Sequence, residues 1–373
     1  MSGPLSGVKV LDFSTLLPGP MATLFLAEAG AEVIKVERPG SGEDMRHFQP
    51  FWGDESVNFQ MLNRGKKSIA LDLKDPVERA RLRPLIESAD ILVEQFRPGV
   101  MQRLELDYAS ASRVNPKLIY CSISGFGQTG PKRDRAGHDI NYIGDAGLLS
   151  LSMGSVEQPV IPPALIADIA GGSYPAVLNI LLALRERDRT GKGTYIDIAM
   201  TEGVLPFMYW AIGNGLGAGA WPQNGGELVT GGSPRYRLYA TADGKFVAAG
   251  PLEDKFWMAF AETIGLDPQY RDDKVDPQAT SRQVAEIIAT HDAAHWEPLL
   301  READCCCTIV KSVREALQDE HVKQRGVLDA KLGNRQGQTM PATPVPIVDS
   351  LRSHAHDAVA APVLGSHNDE LLG

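Results

Sequence analysis

The sequence has few cysteines and none of the paired spacings that mark a metal ribbon. Its four cysteines are Cys121 and the run at 305–307, so there is no CxxC pair. Adjacent cysteines bridge each other only under strain, which favours reduced thiols and a cytoplasmic protein. His291 and His295 have the spacing of a helical metal site, but they lack the glutamate of HExxH and a third ligand. We therefore expect no metal.

Several other signatures are missing. Residues 1–9 show no basic stretch followed by an apolar core, so no signal peptide is expected. No uninterrupted apolar run approaches the roughly 20 residues of a membrane-spanning helix. The sequence has no Walker loop and no GxSxG elbow, and the turn at 14–20 lacks GxGxxG. These absences disfavour a dinucleotide-binding fold, a P-loop enzyme and an α/β-hydrolase.

What is present is the composition of a soluble globular protein. The 373 residues are 43% hydrophobic and 23% charged. At about 100–200 residues per domain, this length predicts two domains. The net charge of -10 argues against a nucleic-acid or membrane-surface partner. A local basic site for an anionic ligand is still compatible with this net charge.

Strands and helices are predicted to alternate through the first half of the chain. The pattern predicts strands at 8–13, 32–37, 68–73, 91–96, 118–124 and 194–200. Strand, helix and strand in short succession require parallel pairing, so we expect an α/β fold with a large open parallel sheet over 1–212. Residues 213–232 are rich in Gly, Asn and Pro and predict a linker. A hairpin and two amphipathic helices predict a smaller α+β domain at 233–324, and 325–373 should return to the large domain.

His138 is the first candidate for chemistry. It lies in the motif GHDINY at 137–142, after a glycine-rich stretch at 125–131 that follows a predicted strand end. Open α/β sheets bind ligands at the carboxyl ends of their strands, and a histidine there can exchange protons near neutral pH. A structural histidine bonded to backbone fits the same pattern equally well.

Asp168 and Glu253 are the second and third candidates. Asp168 lies in an apolar run before a helix, where an acid is usually an N-cap, and Gly171 and Gly172 would let a ligand approach the backbone. Pro175 predicts either that the regular helix begins near it or that the first turn is distinct. Glu253 follows a predicted strand, and its simpler interpretation is a first-turn acid that the helix dipole favours.

A scatter of cations in the first domain suits a phosphate-bearing ligand, although each one alone fits a solvated surface. The cations are Arg38, Arg64, Lys66, Lys67, Lys74, Arg97 and Arg103.

The chain resembles the class III CoA-transferase superfamily, also called the CaiB–BaiF family, from residue 7 to about residue 346. The motifs that carry the resemblance are VLDF at 10–13, PGP at 18–20, EVIKVERP at 32–39, NRGKKS at 63–68, LDLK at 71–74 and FRPG at 96–99. Within the superfamily, GHDINY is similar to the α-methylacyl-CoA racemases. Transferases generally have another residue, often Tyr, where this chain has His138.

The resemblance implies a role for each candidate. Asp168 matches the catalytic aspartate, which is the nucleophile in transferases and one of two acid–base groups in racemases. His138 matches the other acid–base group, and Glu253 matches a glutamate that supports the racemase site. The positions that match the lining of the CoA pocket are Leu16, Arg38, Leu71, Lys74 and Arg103. The family also implies an interlocked homodimer, and no metal or redox cofactor, since coenzyme A is part of the substrate.

The expected activity is epimerisation of the α-carbon of 2-methylacyl-CoA thioesters, a reaction of fatty acid metabolism. An enolate intermediate would need hydrogen-bond donors, and the backbone N–H groups of Asp168 and Ile169 are candidates. The alternative is a class III CoA-transferase that moves CoA between carboxylic acids through a covalent intermediate on Asp168. A CoA-thioester binding protein without turnover is the third hypothesis.

Overall fold

The computed structural model describes residues 3–152, 159–353 and 357–373. The strands are β1 Lys9–Phe13, β2 Glu32–Glu37, β3 Phe51–Trp52, β4 Glu55–Ser56, β5 Lys67–Ala70, β6 Ile91–Glu94, β7 Ile119–Ser124, β8 Thr194–Ala199, β9 Arg237–Ala240, β10 Phe246–Ala249, β11 Cys307–Ile309, β12 Lys331–Gly333, β13 Thr339–Pro341 and β14 Ala358–Val359.

The helices follow the same chain order. They are α1 Pro18–Glu28, α2 Val57–Asn63, α3 Pro76–Ala80, α4 Arg83–Ser88, α5 Val100–Arg103, α6 Tyr108–Val114, α7 Asp139–Asp145, α8 Ile166–Asp168, α9 Tyr174–Thr190, α10 Met200–Val204, α11 Tyr209–Ala218, α12 Asp254–Thr263, α13 Pro277–Ile288, α14 Ala293–Ala303, α15 Val313–Leu317, α16 Glu320–Gln324 and α17 Asn368–Leu372.

The large sheet is parallel throughout, as the alternating sequence pattern predicts. Its spatial order is β5–β2–β1–β6–β7–β8. β6 and β7 are buried along their whole length, as expected of parallel strands covered on both faces. β2 and β5, which follow β1 in the sequence, lie on one side of β1, and the next strand of this sheet, β6, lies on the other side. The strand order therefore reverses between β1 and β6, where open sheets of this class bind their ligands.

The chain divides into two compact units. The larger contains the described residues of 1–146, 164–206 and 321–373, and the smaller contains those of 147–163 and 207–320. These boundaries differ from the predicted 212 and 324, and 147–163 groups with the smaller unit. The predicted linker at 213–232 is wrong for its first part, because α11 is helical as far as Ala218. Gly215 allows a close contact there, since a Cβ would lie 2.2 Å from the Trp221 ring.

The smaller unit is built on the antiparallel sheet β11–β10–β9. The predicted hairpin is β9 and β10, and Thr241 N donates to Lys245 O at 2.9 Å across its turn. Helices α12 to α14 cover the sheet with a core that includes Trp257 and Phe260. The three consecutive cysteines, of which only Cys307 belongs to β11, are free thiols, and Cys121 in β7 is also free.

One long helical run contains the candidate Asp168 near its start. α8 leads into a π-helical turn at Ile169–Ser173, and α9 continues to Thr190. Pro175 is the second residue of α9, where a missing N–H costs least. The distinct first turn that this proline predicted is confirmed. By length and composition alone, Ile166–Thr190 would also pass for a membrane span, as the core helix of a soluble protein can.

The glycine pair in the π-helical turn serves packing. A Cβ on Gly171 would lie 2.5 Å from Met200 O, and one on Gly172 would lie 3.1 Å from Met200 Cγ. Gly203 in α10 meets Gly171 from the other side, where a Cβ would lie 2.2 Å from Gly171 O. The glycines therefore let α10 approach this turn closely, which corrects the expectation that they open the backbone to a ligand.

The segment 321–373 belongs to the larger unit and is bonded to its first strands. Ala70 N donates to Asn368 Oδ1 at 2.8 Å across a separation of 298 residues. Ser353 N donates to Glu28 O at 2.9 Å. Leu371 and Leu372 pack against the main core of the unit. The last helix thus completes the outer edge of the large sheet beside β5.

A group of buried charges lies beneath the end of β1. The side chains of Asp12, Lys35 and Lys66 are fully buried. Lys66 Nζ donates to Asp12 Oδ2 at 3.0 Å and to Thr23 Oγ1 at 2.8 Å. Burial raises the pKa of Asp12, but the charges of Lys66 and Lys35 outweigh it and hold the pKa well below its ordinary value. These groups remain ionised because each has an opposite charge close by.

We predict that Lys66→Met destabilises the protein by about 3–5 kcal/mol, because it leaves Asp12 buried without its main partner. Urea unfolding followed by circular dichroism measures this loss. Lys67→Met is the matched control, since Lys67 forms ion pairs with Glu32 and Glu370 nearer the surface. Such pairs contribute about 0–1 kcal/mol. Equal losses from the two neighbouring lysines would contradict the role assigned to Lys66.

Candidate active site

The two residues predicted to exchange protons line one cavity. This His138 cavity has a volume of about 520 Å³. Leu16 follows β1, Phe96 follows β6 and Ser124 ends β7, so the cavity lies at the carboxyl ends of these strands. His138 and Asp168 complete its wall. The structure therefore brings the two residues together at the point where the strand order reverses.

His138 is held at the N-terminal boundary of α7. Its backbone N–H donates to Asn141 Oδ1 at 3.0 Å, while its side chain is exposed. Tyr142 fixes Gly137, the residue before His138, because the Tyr142 hydroxyl donates to Gly137 O at 2.5 Å. The same ring packs on Gly125, where a Cβ would lie 2.3 Å from Tyr142 Cε1. Tyr142 therefore fixes the motif GHDINY against the end of β7.

Asp168 is half-buried and has a perturbed acidity. Burial raises the pKa of its carboxyl to about 6, and the nearby charge of Asp139 adds to this rise while His138 opposes it. Asp168 lies inside the helical run, and among the described residues its side chain caps no helix N-terminus, so the N-cap interpretation is wrong. A carboxyl that titrates near 6 is suited to both giving and taking a proton near neutral pH.

Asp139 is a site residue that the sequence reasoning missed. It is buried, with 5% of its surface exposed, and its Oδ1 accepts from Asp168 N at 3.0 Å. This bond ties the start of α7 to α8, so one carboxylate both places Asp168 and raises its pKa. The available signal was an acid directly after His138 in the motif.

The expected backbone donors for an enolate oxygen already have acceptors. Asp168 N donates to Asp139, and Ile169 N donates to Leu165 O at 3.1 Å. Serving a substrate oxygen would require these groups to share or break those bonds. The hypothesis that they are free donors is therefore wrong for this structure.

A second cavity collects four of the five positions expected to bind CoA. This Arg38 cavity has a volume of about 440 Å³, and its wall includes Arg38, Leu71, Lys74 and Arg103. Leu16, the fifth, lines the His138 cavity instead. The lining of the Arg38 cavity also contains apolar residues, among them Phe13, Val36, Leu73 and Leu104, and acidic residues, including Asp44 and Asp72.

Thr15 and Phe96 line both cavities, so the two lie side by side. A lining that combines apolar side chains with cations suits a nucleotide, with the base on the apolar side chains and the phosphates near the cations.

The loop between the two cavities is held in an unusual conformation. Leu16 has φ 62°, in the left-handed region that non-glycine residues rarely adopt. Its N–H donates to Glu43 Oε2 at 3.0 Å, and Lys35 Nζ donates to Ser14 O at 2.9 Å. Lys35 and Glu43 also pair at 3.3 Å with both side chains buried. The buried charges beneath β1 therefore set the shape of this loop.

Three of the cations named from sequence are structural. Arg64 pairs with Glu28 at 2.6 Å, Lys66 with Asp12, and Lys67 with Glu32 at 2.6 Å. The phosphate-binding interpretation is wrong for these three, because carboxylates within the chain already bind them and none of them lines the Arg38 cavity. Arg38 also pairs with a carboxylate, that of Asp44, but both side chains of that pair are exposed. Arg97 is exposed and lines the His138 cavity.

Glu94 is a second buried acid that the sequence reasoning missed. It ends β6 and accepts from Phe96 N at 2.8 Å, and burial raises its pKa to about 7. It lines a third cavity of about 290 Å³, which shares Arg97 with the His138 cavity. The signal in the sequence was a carboxyl at the end of an otherwise apolar strand.

Glu253 lies in the smaller unit, immediately before α12. The N–H groups of Phe256 and Trp257 both donate to its backbone oxygen at 3.0 Å, and its side chain is exposed. It is thus the residue that precedes the helix rather than a first-turn acid. Its supporting role in the chemistry stays a prediction.

The described part of the chain holds no group of three or more His, Cys, Asp or Glu side chains placed to bind a metal ion. The rings of His291 and His295 stack on each other with centroids 4.0 Å apart.

Comparison with known proteins identifies the family. The model of CoA-transferase family III matches residues 5–368. The chain belongs to CoA-transferase family III. It is 36% identical to the α-methylacyl-CoA racemase of Homo sapiens, over 99% of this chain and 92% of that protein. It is 34% identical to the acetyl-CoA:oxalate CoA-transferase of Acetobacter aceti, over 97% of this chain and 93% of that protein.

The fold agrees with this membership. The crystal structure of a CaiB/BaiF family protein from Brucella suis superposes with a TM-score of 0.81 at 29% identity, covering 100% of this chain and 99% of that one. The protein is therefore an enzyme of a superfamily that contains both racemases and CoA-transferases, and an acyl-CoA substrate is consistent with its relatives.

We predict that Asp139→Asn lowers the pKa of Asp168 from about 6 toward its ordinary value, because it removes a neighbouring negative charge. Carbon-13 NMR of labelled aspartate, with the signal assigned by its loss in Asp168→Asn, measures the titration. Proton transfer that uses ionised Asp168 as the base fails as the pH drops below this pKa. The pH below which activity is lost should therefore also be lower in the variant. Asp145→Asn is the control, because Asp145 is on the same helix and pairs with Lys132. An unchanged Asp168 titration in Asp139→Asn would refute the assignment.

Proposed function

We propose that this enzyme epimerises the α-carbon of 2-methylacyl-CoA thioesters in fatty acid metabolism. The observation that carries the proposal is the meeting of His138 and Asp168 in one cavity, with the pKa of Asp168 raised to about 6. Inverting a carbon centre by proton exchange needs a base on one face and an acid on the other. A carboxyl near neutrality and an imidazole can exchange those roles with the direction of the reaction.

In this mechanism one of the two groups removes the α-proton and leaves an enolate. The other group then returns a proton to the opposite face, which inverts the centre. When Asp168 is the base, it must begin ionised and His138 must begin protonated. The reverse direction begins with the opposite protonation states. Proton exchange with solvent restores the starting states before the next turnover in the same direction. Glu253 is proposed to support this site.

The Arg38 cavity is the proposed binding site of the CoA nucleotide. Arg38, Lys74 and Arg103 supply positive charge, and Leu71 belongs to the apolar lining. Thr15 and Phe96 line both cavities, so a pantetheine arm that passes them would deliver the thioester to His138 and Asp168. Leu16 would then contact the arm rather than the nucleotide.

We predict that Lys74→Ala weakens CoA binding by about 10- to 100-fold, the range expected for losing a hydrogen bond to a charged group. Titration calorimetry with CoA measures the change, which should shrink as salt is added. Arg83→Ala is the control, since Arg83 is exposed and pairs with Glu87 at 3.0 Å. Equal affinity in Lys74→Ala and the parent protein would rule out this site for the phosphates.

We predict that the protein incorporates deuterium at the α-carbon of a 2-methylacyl-CoA in D₂O, without any added carboxylate. His138→Ala and Asp168→Ala should each slow this exchange by about 10²–10⁴-fold. Mass spectrometry follows the label. Both variants should keep their affinity for CoA, which separates lost chemistry from lost folding.

A class III CoA-transferase is the second candidate, favoured by the 34% identity to an acetyl-CoA:oxalate CoA-transferase. It would use Asp168 as the nucleophile that carries acyl and CoA groups. CoA transfer that depends on added carboxylic acid, with no deuterium uptake across several acyl chains, would establish this activity instead. Neither activity together with tight thioester binding would indicate a binding protein.

We also propose that the enzyme works as an interlocked homodimer in the cytoplasm. Helix α9 presents an apolar stripe on one side, with Tyr174, Leu178 and Leu182 at spacings of four residues. Leu178 and Leu182 are 59% and 60% exposed, which is unusual for leucines on a helix of a monomer. A second copy of the chain would cover them. Sedimentation at about twice the chain mass of 40.4 kDa is the expected result.

A further inference from the structure

The end of β7 carries a buried hydroxyl that no group of the described chain satisfies. Ser124 Oγ is inaccessible to solvent and has no hydrogen-bond partner, and the residue as a whole is 8% exposed. Buried polar groups are almost always paired, because leaving one unpaired costs free energy. An unpaired group beside a cavity is therefore a candidate for a hydrogen bond to a bound ligand.

Ser124 lies in the wall that also holds His138 and Asp168. Its neighbour Gly125 packs on the Tyr142 ring, and the Tyr142 hydroxyl donates to Gly137 O directly before His138. Gly125 O is fixed in turn by Thr201, which donates its backbone N–H at 3.0 Å and its hydroxyl at 2.7 Å. The backbone next to Ser124 is therefore fixed beside the proton-exchanging residues.

Three donors beside His138 and Asp168 already have acceptors, while Arg97 and Arg135 line the same wall as exposed cations. The N–H groups of Asp168 and Ile169 have protein acceptors, and the Tyr142 hydroxyl is bonded to Gly137. A thioester deprotonated at its α-carbon gathers negative charge on its carbonyl oxygen and needs a donor there.

We infer that Ser124 is a catalytic residue whose hydroxyl donates to the thioester carbonyl oxygen of the substrate and to the enolate oxygen formed from it. The inference rests on the proposed function, because it takes an acyl-CoA thioester as the ligand. No covalent bond to Ser124 is involved. Its proton stays on the hydroxyl throughout, and only the strength of the hydrogen bond changes as charge develops on the oxygen.

Ser124→Ala tests this inference. Its kcat for deuterium exchange should fall by about 10²–10³-fold, the cost of losing one donor to an oxyanion, while its KM rises by only about 3- to 10-fold, the cost of one neutral hydrogen bond. Ser124→Thr keeps a hydroxyl and should retain most of the rate. The thermal midpoint of Ser124→Ala without substrate should be unchanged or raised, since the hydroxyl it removes has no partner.

Ser122→Ala is the matched control on the same strand. The Ser122 hydroxyl already has a partner, because Tyr195 donates to it at 3.2 Å. Its loss should lower the thermal midpoint and leave the exchange rate within a few-fold. A Ser124→Ala variant that exchanges as fast as the parent, or that loses only KM, would overturn the inference.

The two proposals fail in different ways. If the parent protein shows no deuterium exchange, the proposed racemisation fails, and Ser124 is then judged by binding. Ser124→Ala should lose about 3- to 10-fold in affinity for a 2-methylacyl-CoA, the range for one neutral hydrogen bond, and nothing for free CoA, which has no thioester carbonyl. Equal affinities of parent and variant for the thioester would overturn the inference independently of the activity.

Discussion

The ion pair between Asp12 and Lys66 is the interaction on which the site depends. Both groups are fully buried, and Lys66 also bonds to the side chains of Thr23 and Asn63. It therefore joins the end of β1 to α1 and to the segment that leads into β5. Lys35 and Glu43 extend the network to the loop after β1, where they hold Leu16 in its left-handed conformation. This loop forms the partition between the two cavities, so buried electrostatics decide where a ligand can lie.

Two neighbouring carboxylates, Asp139 and Asp168, organise the chemistry. Asp139 accepts a hydrogen bond from the backbone of Asp168 and, by its charge, keeps the proton of Asp168 from leaving easily. Positioning and acidity are therefore coupled in one contact between α7 and α8. The glycines after Asp168 have a different purpose, because they let the π-helical turn pack on α10. A turn that is pinned from both sides gives Asp168 a fixed place relative to His138.

The parallel pairing of the large sheet could be anticipated from sequence, because strands alternate with helical patterns through the first half of the chain, but the spatial order of the strands could not. His138 could be singled out because it follows a predicted strand end, where such a sheet binds ligands, whereas the catalytic role of Asp168 rested on the family resemblance. The pairing of charges could not be read in this way. Arg64, Lys66 and Lys67 resemble Lys74 in the sequence, and only the fold shows that the first three already have carboxylate partners. Asp139 and Ser124 were missed because burial and hydrogen-bond partners are properties of tertiary structure.

The bond between Ala70 and Asn368 has a consequence for how the chain reaches this structure. A ribosome releases β5 almost three hundred residues before the helix that completes its edge. Until then the polar edge of that strand and the core surface under Leu371 and Leu372 stay uncovered. The smaller unit takes most of its residues from the continuous stretch 207–320, so it can assemble earlier during synthesis. The larger unit must instead close a long loop as its last event, and such a contact between distant parts of the chain slows folding.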